Sequence, residues 1–156
     1  MASTITAATL TVKLTEQIKL NGVEQGSSNT LTIGSVNEIF KRIITVPTSK
    51  TTIASLSTAT AGSTFITGDV RYIRLTNLDN DNYVTLSFIN QSSDEFAVKL
   101  DYGQSFIYNA DLVGGGANTM DAVAATALTP TFHDLTTVTA KANSAACDLE
   151  VFIASA

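Results

Sequence analysis

The chain reads as all-β: an antiparallel two-sheet sandwich, jelly-roll-like, with one long irregular loop over residues 111–130. Three observations predict this. Apolar residues recur with period two, as in Leu10, Val12, Leu14 and in Phe96, Val98, Leu100, which is the alternation of a strand with one buried face. About two dozen threonines supply the stiff, β-branched polar residue that a strand's outer face favours. Short Asn, Asp, Gly and Ser clusters separate the alternating segments, giving about eight to ten short strands, no long helix and no internal repeat. The jelly roll is the eight-stranded form of such a sandwich. A closed barrel is the alternative that periodicity leaves open.

Leu10 to Leu14 is the first strand, with Thr11 and Lys13 facing away from the apolar side. Gln17 to Leu20 follows and ends at Asn21-Gly22, a strong two-residue hairpin signal. After the polar turn 25–29, Leu31 and Ile33 alternate again. In Asn37 to Val46, Phe40, Ile44 and Val46 share a face with Arg42, while Ile39 and Ile43 share the other. That predicts a strand covered on both sides or placed at a subunit contact. Pro47 ends it, since proline cannot donate to a central ladder.

Thr51 to Leu56 is a short strand and Ser57 to Gly68 a loop. Asp69 to Leu78 carries Ile73 and Leu75 on one face and Tyr72, Arg74 and Thr76 on the other. Tyr83 to Ile89, Glu95 to Asp101 and Gln104 to Asn109 follow after short turns, the pattern of an antiparallel meander. Residues 111–130 contain Gly114-Gly115-Gly116 and an alanine-rich stretch, Met120 to Leu128, with the composition of a short helix. The segment reads as a crossover between sheets, or as an extended loop that reaches a neighbouring subunit. Phe132 to Lys141 slips in alternation at Thr136-Thr137, a β-bulge signal. Cys147, Leu149, Val151 and Ile153 face inward on the last strand, with Asp148, Glu150 and Phe152 outward. The organisation is an N-terminal arm, 1–9, and one sandwich domain, 10–156. A chain of 156 residues buries roughly 70% of its unfolded surface, enough for a core without cross-links.

Nine basic and fourteen acidic residues give a net charge of −5, which argues against nucleic acid as the main partner. No apolar run approaches the ~20 residues that span a bilayer, and no Lys or Arg precedes Lys13, so the start lacks a signal peptide's charge. Synthesis in a cytoplasm without secretory export is the expectation. A single cysteine, Cys147, excludes an internal disulfide and a cysteine-based zinc cage. His133 is the only histidine, and its neighbour Asp134 would point to the opposite face of a strand, so the two do not form a base and its orienter. No Gly-x-Ser-x-Gly elbow and no phosphate-binding loop occurs. The expectation is no enzyme, no cofactor and no metal. Asp79 and Asp81 in the turn Asp79-Asn80-Asp81-Asn82 are a weak Ca²⁺ candidate, but Val84 and Asn90 stand where an EF-hand needs glycine and glutamate. Asp and Asn are also ordinary turn residues. Asn90-Gln91-Ser92 is a formal glycosylation sequon that reads as a turn. Tryptophan is absent and the four tyrosines are scattered, which announces no sugar-stacking platform.

The run Gly68-Asp-Val-Arg-Tyr-Ile-Arg-Leu-Thr-Asn-Leu-Asp79, with Asn82-Tyr-Val-Thr-Leu86 after it, resembles small virion structural proteins of tailed bacteriophages, particularly marine and cyanobacterial ones. Lys99-Leu-Asp-Tyr-Gly-Gln-Ser-Phe106 is similar to the turn that follows in those proteins, with Gln104 in place of the commoner glutamate. Ala140 to Ile153 resembles their closing strand. The resemblance carries structural motifs and no catalytic signature. It implies a β-sandwich on the capsid surface, a decoration or cement protein that binds the major capsid protein, often as a homotrimer. A tail or fibre receptor-binding protein and a carbohydrate-binding module are the alternatives. Interface candidates are Ala2, Ser3, Thr4 and Ile5 in the arm, Ile39 and Ile43 on the two-faced strand, and Met120 and Leu128 in the long loop. Neither nucleic acid nor membrane is an expected partner.

Overall fold

The structure, a computed structural model, describes residues 4–108, 114–117 and 129–156. Fourteen strands appear among them: β1 Ala8–Thr15, β2 Lys19–Leu20, β3 Val23–Glu24, β4 Ser28–Val36, β5 Glu38–Val46, β6 Thr51–Ser57, β7 Phe65–Ile66, β8 Val70–Asn77, β9 Val84–Asn90, β10 Glu95–Leu100, β11 Ser105–Tyr108, β12 Gly114–Gly116, β13 His133–Ala142 and β14 Cys147–Ser155. None of the described residues is helical.

Two sheets form the sandwich. One runs β5-β14-β8-β11 and the other β6-β13-β9-β10, with the short β7 beyond β6 and β12 beside the start of β13. Counting the eight long strands in chain order from β5, the sheets read 1-8-3-6 and 2-7-4-5. This is the double Greek key of a jelly roll, and a closed barrel is excluded because the two sheets do not join. Among the described residues all pairings are antiparallel except β6 with β7.

The sandwich core is made by the alternation that the sequence shows. Ile73, Leu75, Leu149, Val151 and Ile153 from one sheet face Val84, Leu86, Phe88, Leu135 and Val138 from the other, each no more than 1% exposed. Phe88 stacks on Phe96 at 5.0 Å and meets Phe106 and Tyr108 at 5.0 and 5.6 Å. Those rings come from β9, β10 and β11, so they tie the two sheets together at their β10 and β11 edges.

Three sequence expectations are corrected. Residues 69–109 are not a meander: β8 pairs with β14 and β11, β9 with β10 and β13, and only β9–β10 is a hairpin. Alternation shows which side of a strand is buried, and both sheets bury one side, so it cannot name the partner strand. The segment 57–68 includes β7, whose Phe65 pairs with Leu56. Gly114 to Gly116 are a short strand on β13 and not simply part of a loop, because backbone pairing needs no side chain. Residues 111–113 and 118–128 of the expected loop and helix, including Met120 and Leu128, lie outside the described residues. β1 begins at Ala8 and, among the described residues, pairs only with β4, so residues 8–36 form a long hairpin beside the two sheets of the sandwich. The bulge at Thr136 is present: the register shifts between Leu135 and Thr137, and the Thr136 hydroxyl donates to the Ile89 carbonyl at 3.0 Å.

Candidate functional site

The outer face of the β5-β14-β8-β11 sheet combines exposed apolar residues with a row of charges. Strand register lays its side chains out in rows. Ile39, Ala154 and Tyr72 form one, Lys41, Phe152, Arg74 and Ile107 the next, and Ile43, Glu150, Thr76 and Ser105 a third. The long hairpin covers part of this face. Ile33 and Val36, with Leu10 and Val12 beside them, pack on Tyr72, Ala154 and Phe152 as a second apolar cluster outside the sandwich core. Tyr72 sits edge-on to Phe152 at 6.0 Å, and burial pushes the Tyr72 hydroxyl's pKa up against the opposing effect of Arg74. The outward Phe152 and Tyr72 of the sequence pattern are therefore covered by chain from another element, which strand periodicity alone could not show.

Beside the hairpin lies a charged row. Arg74 donates to Glu150 and to Thr76 and lies 5.8 Å from the Phe152 ring, while Lys41 Nζ is 3.4 Å from Glu150. Hydrogen bonding from Arg74, more than any other cause, holds the Glu150 carboxyl below the usual carboxylate range. Because the folded pKa is depressed, the stabilisation is complete above the unfolded value of about 4.3 and is lost as pH falls through the lower folded value. Glu150→Gln should thus cost on the order of 1 kcal/mol near pH 7. That difference should close when urea unfolding is repeated at about pH 2 to 3.

The candidate interface residues fall into two groups. Ile39 and Ile43 are 50% and 56% exposed, so β5 is covered on its inner side only, through Phe40, Ile44 and Val46. Thr4 and Ile5 are exposed, Ile5 at 66%. Ala2, Ser3, Met120 and Leu128 lie outside the described residues. Sequence reasoning missed the hairpin itself as a candidate: Leu14, Ile18, Leu20 and Val23 are 55–60% exposed. The available signal was a run of alternating strands around Asn21-Gly22 with apolar residues and no long core strand to receive them.

Other residues singled out by sequence are placed in structural roles. Asp79 Oδ1 accepts the amides of Asp81 and Asn82 at 2.8 and 2.7 Å, and these bonds hold its pKa down; the oxygen already caps a turn. No group of three or more metal-binding side chains occurs among the described residues. His133 opens β13, whereas Ser105 opens β11 in the opposite sheet and bonds Thr76 at 2.8 Å. The Cys147 thiol is buried and its pKa is raised, first by burial and then by Asp79, which keeps it an unreactive thiol. Asn90 is 5% exposed; its carbonyl oxygen accepts the Ser92 and Asp94 amides and its amide donates to Asp94, so the sequon is a folded turn.

One concavity stands at the open edge between the sheets. A cleft of about 520 Å³ lies between β5 and β6 beneath the 60–66 segment, with Phe40 and Phe65 in edge contact at 5.5 Å and Glu38, Asp69, Thr52 and Ser55 along its walls. Compared with family models, with curated proteins and with solved structures, the chain matches none.

Proposed function

We propose that this chain is a virion structural protein, a capsid decoration or cement protein that binds the outer capsid surface as a homotrimer and bridges major capsid subunits. The observation that carries the reading is the jelly-roll strand order, an architecture used by viral capsid domains as well as lectins and cupins. The sequence resemblance to phage virion proteins points the same way. A fold hosts many functions, so the reading rests on the two together. A binder that bridges neighbouring subunits favours the assembled shell over the separated one by mass action. Mass spectrometry and cryo-electron microscopy of purified particles are the test. Regular density between capsid subunits is expected. Density confined to the tail would assign the chain to a tail or fibre instead, and absence from particles would end the virion reading.

The cleft favours a second reading, a carbohydrate-binding module. Two carboxylates, several hydroxyls and a pair of aromatic rings along one cleft suit a hydroxyl-rich ligand, and about 520 Å³ is within the usual size of ligand sites. A glycan screen with native chain and with Glu38→Gln/Asp69→Asn decides it: binding lost in the variant supports this reading, and no binding by the native chain removes it.

A further inference from the structure

A hairpin tip and an edge strand, both on the outer face of one sheet, leave matching apolar surface uncovered. The β1–β4 hairpin runs across that face from Ala154 and Phe152 toward the β11 edge, where Val12, Leu14 and Leu31 line a hollow with Tyr72 and Ile107. Residues 13–25 beyond it are all exposed. They include Leu14, Ile18, Leu20 and Val23, each at least 55% exposed. A two-stranded hairpin is marginal in water by itself, and clustered exposed apolar residues mark interaction sites.

This tip is nonetheless held in one shape. Asn21 and Gly22 take positive φ, 49° and 81°, which a two-residue hairpin turn requires. The Glu24 carboxylate accepts the amides of Ile18 and Gly26, and the Ser27 hydroxyl donates to Glu16. Gly26 packs so closely on Glu16 that a Cβ there would lie 2.0 Å from the Glu16 carbonyl oxygen. A tip already ordered loses little entropy on docking.

At the opposite edge of the same sheet, β5 exposes Ile39 and Ile43 on the same face. Ile39 lies beside Ala154 in register, so it extends the apolar row that the hairpin base covers. The charges are complementary as well. Residues 16–27 hold Glu16, Lys19 and Glu24, net −1, whereas Lys41, between the two isoleucines on the outer face of β5, carries +1; Glu38 and Arg42 alternate to the other face. Among the described residues, β11 and β5 each pair with one neighbour only, β8 and β14.

We propose that the occupant is a second copy of this chain: the hairpin tip of one protomer straps over Ile39 and Ile43 of the next, bringing the β11 edge of the first beside the β5 edge of the second. Donor and acceptor patches differ, so the contact is heterologous, the class that builds a ring when its rotation closes and a filament when it does not. It holds whether or not the chain belongs to a virion.

Size-exclusion chromatography with light scattering tests it on the full chain. The native protein is expected to be an oligomer at tens of micromolar. Ile18→Asp/Leu20→Asp, which spoils the tip, and Ile39→Asp/Ile43→Asp, which spoils the strip, are each expected to run at the 16.4 kDa monomer mass with unchanged circular dichroism. Mixed in equal amounts, they should form a heterodimer of twice that mass, because one retains a good strip and the other a good tip. A native chain that is monomeric, variants that stay oligomeric, or a mixture that stays monomeric would each overturn the proposal. A monomer whose tip is needed for particle binding would assign the tip to another protein.

Discussion

Leu86→Asp is expected to cost on the order of 3 kcal/mol or more and to leave little folded protein at 37 °C. Leu86 is fully buried at the middle of β9, between Val98 on β10 and Ala140 on β13 in the ladder. An ionised carboxylate there has no cation within the core cluster, so it must stay unpaired or take up a proton. Thr85→Asp, one residue away, should be near neutral. Thr85 lies on the outer face between Lys99 on β10 and Lys141 on β13, and cross-strand opposite charges favour the change by a few tenths of a kcal/mol. Urea denaturation of both variants measures the contrast. Equal losses would mean that the inner and outer faces of β9 have been exchanged.

Asn77→Leu is expected to cost about 3 kcal/mol although it adds apolar volume of similar size. Asn77 is fully buried at the end of β8. Its amide donates to the Asn82 carbonyl at 2.9 Å and to the Leu100 carbonyl at 3.1 Å, and its carbonyl oxygen accepts the Asp79 amide at 3.0 Å. One side chain thus joins the end of β8, the 78–83 crossover and the end of β10. Its own backbone amide and carbonyl reach Gln104 and Gly103, which fastens the turn between β10 and β11 to the same point. Leucine would leave two carbonyls and one amide without these partners. Thermal unfolding reads the loss, and Asn77→Asp should recover only the contact with the Asp79 amide.

These two sites explain why the eight strands close into two sheets with short connections at one end. The 78–83 segment spans from one sheet to the other, a separation of roughly 10 Å between packed sheets. It is held by the Asp79 turn and by Asn77, not by a hairpin. A side chain that satisfies three backbone groups in different segments specifies one crossover geometry, and the polar residues of this loop are there for that reason.

Sequence alone determined the inward face of nearly every sandwich strand. Ile73 and Leu75, Val84, Leu86 and Phe88, and Cys147, Leu149, Val151 and Ile153 point inward as their period-two spacing requires, since a strand side chain has only two directions to choose from. It also determined the Asn21-Gly22 turn and the bulge at Thr136, which depend on local backbone geometry. Pairing was decided elsewhere. That β8 lies between β14 and β11, whose paired residues are 72–85 and 29–35 positions away, follows from how two sheets jointly exclude water and not from anything local to β8. The same holds for the candidate surface. Ile39 and Ile43 read as the second face of a strand covered on both sides or placed at a subunit contact, and Phe152 as an outward ring. Only the packing of the β1–β4 hairpin across the sheet partly buried Phe152 and left the two isoleucines exposed, because burial is a property of what arrives from far along the chain.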